Sequence, residues 1–111
     1  MHESVRGRAK RVLVIGAAAD SPQLSPDAAL APDGMLIIME EDTARAAEMR
    51  SRLSSDGLAN RTVIGGDPRR MLYKLAGPFD VIFCNPAYRS LRPMLMKLLA
   101  TDGLLITNGE P

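Results

Sequence analysis

The stretch "RVLVIGAAAD", Arg11 to Asp20, decides how the rest of the chain is read. Four aliphatic residues, Val12 to Ile15, run up to Gly16 without a polar interruption. A short continuous apolar run is expected of a strand covered on both faces, because alternation disappears when neither face meets water. A glycine at its end lets the chain turn sharply and lets a ligand approach the backbone. Ala17, Ala18 and Ala19 keep the following loop small, but each adds a Cβ where glycine leaves room. The layout is that of a strand feeding a nucleotide-binding loop. As a dinucleotide fingerprint it lacks the second and third glycines, and a plain strand-to-helix turn explains it about as well.

Reading onward, the punctuation is regular. "SPQLSPDAALAPDG" holds Pro22, Pro26 and Pro32, so a helix here is short, starting near Pro26 with Ser25 as its cap. "MLIIM", Met35 to Met39, is a second buried strand, ended by Glu40, Glu41 and Asp42. "TARAAEMRSRLSSDG" puts Ala46, Met49 and Leu53 on one helical face, with arginines on the other and Gly57 as its close. Thr62 to Ile64 is a short third strand. "PRRMLYKLAG" is predicted as one helix from Pro68 to Gly77. "FDVIFCNP" is a fourth strand, stopped at Pro86. "YRSLRPMLMKLLATDG" is predicted helical, begun or kinked by Pro93, and "LLITN" is the fifth strand. Apolar strands alternating with helices mean βαβ units and a parallel sheet with right-handed crossovers. In such sheets ligands sit beyond the carboxyl ends of the strands, where the strand order reverses.

Bulk properties narrow the class. The chain's 111 residues make one domain, long enough to bury roughly two thirds of its unfolded surface. A net charge of +1 provides no global field for nucleic acid or an anionic membrane, so neither is expected as a partner. The local basic groups, Arg6 to Arg11 and Arg69 with Arg70, read as solvated faces and strand flanks. The single cysteine, Cys84, forbids an internal disulfide, fits a cytoplasmic setting and reads as a small core residue. The basic start followed by "VLVIGAAA" mimics a signal peptide, but the apolar run is short and is needed as the first strand. Nothing reaches transmembrane length.

The residues to inspect are therefore those that follow each strand. Glu40 leaves an apolar strand a little over twenty residues after Gly16, where a carboxylate accepts hydrogen bonds from ribose hydroxyls. The plainer alternative is a solvated helix cap, a role that suits Asp42. Asp67, before Pro68, is a ready N-cap and also an acceptor for an adenine amino group. "NPAY", Asn85 to Tyr88, is most simply an Asn-Pro turn, and an Asn there can also hold an amino group. His2 is the one histidine and lies near the terminus, so no histidine base or His/Cys metal cluster can be assembled.

Taken in order, these segments resemble a class I S-adenosylmethionine-dependent methyltransferase, and most of all the cation-dependent O-methyltransferases of the catechol and caffeoyl-CoA type. "VLVIGAAADSPQLSPDAALAPDG" follows that family's first motif and helix. "MLIIMEEDTARAAEMRSRL" is similar to its second strand, with Glu40 at the ribose-binding acid. "GGDPRRMLYKLAGPFDVIFCNPA" and "LLATDGLLITNGEP" resemble the later motifs up to the fifth strand. The resemblance implies a Rossmann-like doubly wound α/β sheet of about five parallel strands, order 3-2-1-4-5, with helices on both faces. It places this domain at residues 11–111, after a flexible segment 1–10. It implies S-adenosylmethionine as cofactor, with Gly16, Ala17, Ala18, Ser21, Glu40, Glu41, Gly66, Asp67, Pro68 and Asn85 as its binding residues.

Departures from the family carry as much information. Val14 replaces an expected acid, and Ala18 and Asp20 stand where glycines or an aromatic are usual. The family's metal ligands, two aspartates and an asparagine, fall on Asn85, Asn108 and Gly109. A hard divalent cation wants charged oxygens, so no Mg²⁺ or Ca²⁺ is expected. The chain is short for the family, without its N-terminal helices or terminal antiparallel strands. An exposed sheet edge that favours a second copy or a partner chain is expected. The leading expectation is a metal-independent methyltransferase-like domain, weakly active or inactive alone, with an unknown small-molecule acceptor. A catalytically dead interaction module of the same fold competes with it. A nicotinamide-dinucleotide oxidoreductase is permitted by Gly16 and Glu40 but lacks the glycines and a catalytic His, Lys or Ser-Tyr pair.

Overall fold

The structure, a computed structural model, describes residues 6–16, 25–57 and 60–107. Among them are five strands: β1 (Ala9–Ile15), β2 (Leu30–Glu40), β3 (Arg61–Gly65), β4 (Phe79–Cys84) and β5 (Leu99–Thr107). Every pairing is parallel and the order is β3-β2-β1-β4-β5, the doubly wound arrangement expected from the sequence. The helices are α1 (Pro26–Ala29), α2 (Thr43–Ser55), α3 (Pro68–Met71) and α4 (Arg92–Leu98), with 3-10 turns over Leu72–Lys74 and Pro86–Leu91.

The apolar runs are central strands with two covered faces. Successive side chains point to opposite sides, so β1 divides its residues between two cores. Val12 and Val14 pack with Ala29, Leu36, Val81, Phe83 and Ile106 on one face. Leu13 and Ile15 pack with Met39, Leu72, Ile82, Leu95 and Tyr88 on the other. Val12, Leu13, Ile15, Val81, Ile82 and Phe83 are wholly buried. Each such side chain stabilises the fold by about 1.5–3 kcal/mol.

Two helices and two strands differ from the sequence reading, each for a local reason. The segment predicted as one helix from Pro68 to Gly77 is a single α-turn, α3, that tightens into a 3-10 turn and ends when Leu75 turns extended. Helix formation is costly to nucleate, and "PRRMLYK" makes few turns before the chain must enter β4. The predicted helix from Tyr88 to Gly103 is a 3-10 turn followed by α4, which Pro93 opens rather than kinks, and it stops at Leu98. α1 is short and starts at Pro26 with Ser25 as its cap, as the sequence reading expects.

β2 and β5 begin earlier than Met35 and Leu104, and both do so irregularly. Ala9 pairs with Leu30 and Arg11 with Met35, so two residues of β1 oppose five of β2. Phe79 pairs with Leu99 and Val81 with Leu104, repeating that step between β4 and the edge strand β5. The intervening tetrapeptides, "APDG" and "ATDG", bulge out of the ladder, which is where a sheet tolerates proline and glycine. Regular pairing starts at Met35 and Leu104, where the apolar runs start.

Register then aligns the strand ends. Ile15 faces Met39 on one side and Cys84 on the other, Glu40 faces Gly65, and Cys84 faces Thr107. The ladder continues one step beyond the strands: Gly16 N–H donates to Met39 O, Gly66 N–H to Glu40 O and Asn85 N–H to Ile15 O, each at 2.9 Å. Gly16, Glu40, Gly66 and Asn85 are thereby fixed along one rim. The strand order reverses between β1 and β4, which puts the crevice of this topology beside Gly16 and Asn85.

Candidate functional site

An open cleft of about 680 Å³ lies on that rim, lined by Gly16, Glu40, Glu41, Asp42, Arg45, Asn85, Ala87 and Tyr88. Of the residues singled out from sequence, Gly16, Glu40, Glu41 and Asn85 meet there. Gly66, Asp67 and Pro68 stand beside it at the β3–α3 junction, with Pro68 buried. Ala17, Ala18, Ser21, Asn108 and Gly109 lie outside the described residues.

Glu40 is the most informative side chain. It is 5% exposed, and it is the buried charged residue of the described core. Its Oε2 accepts the Asp42 N–H at 3.0 Å, while Oε1 has no hydrogen-bond partner among the described residues. Leaving a carboxylate oxygen buried and unpaired is costly, so native structures seldom do it without a reason. The strand geometry forces it: Glu40 is the last residue of β2, held between β1 and β3. A hydroxyl donor entering the cleft would satisfy Oε1, and a ribose offers two hydroxyls. Helix capping falls to Asp42, whose Oδ1 accepts from Ala44 N and Arg45 N at 2.9 and 3.2 Å.

Gly16 adopts φ +83°, a conformation that side chains disfavour. A Cβ there would stand 2.9 Å from Asn85 Cβ and 3.1 Å from Tyr88 Cε2. Gly16 is thus both the turn and the floor against which β4's exit packs. Asn85 Oδ1 accepts the Ala87 N–H at 2.9 Å, making the turn that carries Tyr88 back over Gly16.

Arg69 and Arg45 were not singled out as site residues and Tyr88 was named only as the end of the Asn85 to Tyr88 turn; the structure brings all three in. Tyr88 O–H donates to Glu41 Oε1 at 2.6 Å, linking the ends of β4 and β2 across the rim. Burial, and then the Glu41 carboxylate, push the Tyr88 phenol up to about 12. The Arg69 guanidinium stacks on the Tyr88 ring at 5.0 Å from its centre and reaches Glu41 at 3.6 Å and Asp67 at 3.4 Å. These ion pairs are half-exposed and individually weak. They nonetheless tie Asp67, an N-cap for α3 through Arg69 N at 3.0 Å, to the cleft. No sequence signal joins residues 47 apart. Arg69 directly after the Asp67-Pro68 cap was the available hint.

The cleft walls carry three carboxylates and one guanidinium. No group of three or more His, Cys, Asp or Glu side chains converges as metal ligands among the described residues. At Asn85, the described position of the resemblance's metal set, the side chain is a carboxamide whose oxygen is used by the turn.

Comparison with solved structures gives the class. TomG from Streptomyces achromogenes is an O-methyltransferase involved in tomaymycin synthesis, solved in complex with SAM. It superposes at a TM-score of 0.74 with 25% identity, over 96% of this chain and 52% of that one. Cofactor-bound Rv0187 from MTB matches at 0.72 with 25% identity, over 89% of this chain and 48% of that one. A Staphylococcus aureus structure assigned as a caffeoyl-CoA O-methyltransferase shares the fold at 0.74 with 20% identity, over 91% and 50%. The chain spans about half the length of these solved proteins. No family model and no curated protein sequence matches it. The fold is that of the class I S-adenosylmethionine-dependent methyltransferases, and its solved neighbours include O-methyltransferases. Among the described residues no helix is long and apolar enough to cross a membrane.

Proposed function

We propose that this chain is the cofactor-binding core of an S-adenosylmethionine-dependent methyltransferase, with the cleft beside Gly16 as its donor site. One observation carries the reading: Glu40 is held buried at the end of β2 with Oε1 unpaired, ready to accept from a ribose hydroxyl. The acidic lining agrees with it, since the donor carries a sulfonium cation and three carboxylates outnumber Arg45. The cofactor supplies an electrophilic methyl group. The chain's own residues would fix the adenosyl end and leave the sulfonium side toward the acceptor, so that transfer depends on in-line placement. We infer that this needs no divalent cation, because Asn85 puts a neutral amide, its oxygen bonded to Ala87 N–H, where the resemblance places a charged carboxylate ligand. We also infer slow or no turnover by this chain alone, because an open cleft neither excludes water nor orients an acceptor strongly.

A second reading, a binding module of the same fold without turnover, is favoured by the Tyr88–Glu41 bond, which crosses the rim over Gly16. It differs from the first only in chemistry after binding, so a methyl-transfer assay on a chain shown to bind separates the two.

The class of nucleotide is tested by thermal unfolding. S-adenosylhomocysteine at about one hundred times its Kd should add about 2.7 kcal/mol of stability. For a domain of this size that is a rise in Tm of roughly ten degrees. NADH at the same concentration should leave Tm unchanged, and EDTA should leave the S-adenosylhomocysteine shift unchanged. A larger shift with NADH would overturn the donor assignment, and loss of the shift in EDTA would overturn metal independence.

A further inference from the structure

A second cavity, about 290 Å³ and more enclosed, opens on the same rim between α4 and the ends of β4 and β5. Its lining is Cys84, Arg89, Arg92, Leu95, Leu105 and Thr107. Its character is opposite to the donor cleft. Apolar side chains form its body, Thr107 adds one hydroxyl, and two guanidinium groups stand at its wall with no carboxylate among the lining residues.

Neither the Arg89 nor the Arg92 guanidinium makes a hydrogen bond or ion pair among the described residues. Other arginines in the chain are committed: Arg11 to the Ala76 and Pro78 carbonyls, Arg50 to Val63 O and Arg61 to Asp27. The bland alternative is two solvated surface cations. Three residues apart across the turn into α4, the two instead share one pocket with an apolar floor. The Pro86–Leu91 turn separates the two sites, with Ala87 and Tyr88 walling the acidic cleft and Arg89 the basic cavity.

We propose that this cavity takes the acidic end of the methyl acceptor, a small molecule with a carboxylate or phosphate group on an apolar body. The inference rests on reading the neighbouring cleft as the donor site. The guanidinium groups hold the anion, because a planar fork of N–H donors matches two oxygens at once. Leu95, Leu105 and Cys84 take the apolar body. The volume, at the low end for ligand pockets, limits the acceptor to roughly one ring or its equivalent. Donor and acceptor then enter from opposite sides of one turn, with complementary charge at each entrance.

The test is binding of benzoate, phenyl phosphate and uncharged benzamide to the full chain, followed by backbone amide chemical shifts. Benzoate or phenyl phosphate should shift the amides of Arg89, Arg92, Leu105 and Thr107 saturably, and benzamide should bind at least about tenfold more weakly. The tighter of the two anions identifies the acceptor's group as carboxylate or phosphate. The double variant Arg89→Gln, Arg92→Gln should weaken anion binding about tenfold or more. Arg89→Lys, Arg92→Lys should recover part of the loss. Equal binding of benzamide and benzoate, or anion binding indifferent to the glutamine variant, would overturn the proposal. S-adenosylhomocysteine affinity, measured on the same samples, reports the donor site separately. Its absence in the wild-type chain would strike the donor reading, while lost arginine dependence strikes only the acceptor pocket.

Discussion

A phenol buried beside a carboxylate holds its proton, and Tyr88 shows what that does to stability. It is 9% exposed and its pKa is pushed up to about 12, first by burial and then by Glu41. The folded chain therefore binds this proton more tightly than the unfolded one, whose phenol titrates near 10. The stabilisation is complete below pH 10 and is lost as pH rises from 10 towards 12, on the order of a few kcal/mol in all. Urea unfolding at a series of pH values should show the wild-type chain losing stability over that window relative to Tyr88→Phe. Parallel curves would contradict the account. Gly16→Ala acts through the backbone instead. A non-glycine residue in the left-handed region costs about 1–2 kcal/mol, and its Cβ would press on Asn85 and Tyr88. A total loss of about 2–4 kcal/mol in urea unfolding is expected, and a neutral variant would mean that β4's exit does not pack on Gly16.

Elements show where sequence reading succeeds. The regular parts of β1, β2, β4 and β5 were legible because each is an unbroken apolar run, while β3 showed only Val63 and Ile64 beside Thr62. "APDG" and "ATDG" were not legible as strand, because bulges release the ladder from the rules that identify strands. Helix starts were legible through their caps. Ser25, Asp42 and Asp67 accept from N–H groups one turn ahead, and a proline follows Ser25 and Asp67 directly. Helix ends after Met71 and Leu98 were not, since no glycine follows either and the basic residues in their last turns, Arg69, Arg70 and Lys97, did not outweigh the apolar residues that continue beyond. Asp42 offers the test at this scale. Asp42→Ala removes the side-chain cap of α2 but keeps the backbone N–H that Glu40 accepts, and should cost about 1 kcal/mol in unfolding free energy. No loss would mean that α2 is held by packing alone.

For the molecule as a whole, function follows from the alignment of strand ends. β1 and β4 sit at the centre where strand order reverses, and register brings Gly16, Glu40 and Asn85 to one rim. That much of the site was legible, because each residue immediately follows an apolar run. The Tyr88–Glu41–Arg69 network was not, because it joins three turns that meet only in the folded sheet. Nor was the pairing of an acidic cleft with a basic cavity on either side of the Pro86–Leu91 turn, which no local motif encodes. The central claim is that the acidic cleft holds an adenosyl cofactor through Glu40. Isothermal titration of the folded chain with S-adenosylhomocysteine tests it most directly. The account predicts a Kd on the order of micromolar for the wild-type chain. It predicts loss of measurable binding in Glu40→Ala, and strong weakening in Glu40→Gln, whose amide keeps the shape but not the charge. No heat from a folded wild-type chain, or equal affinity in Glu40→Ala, would contradict it.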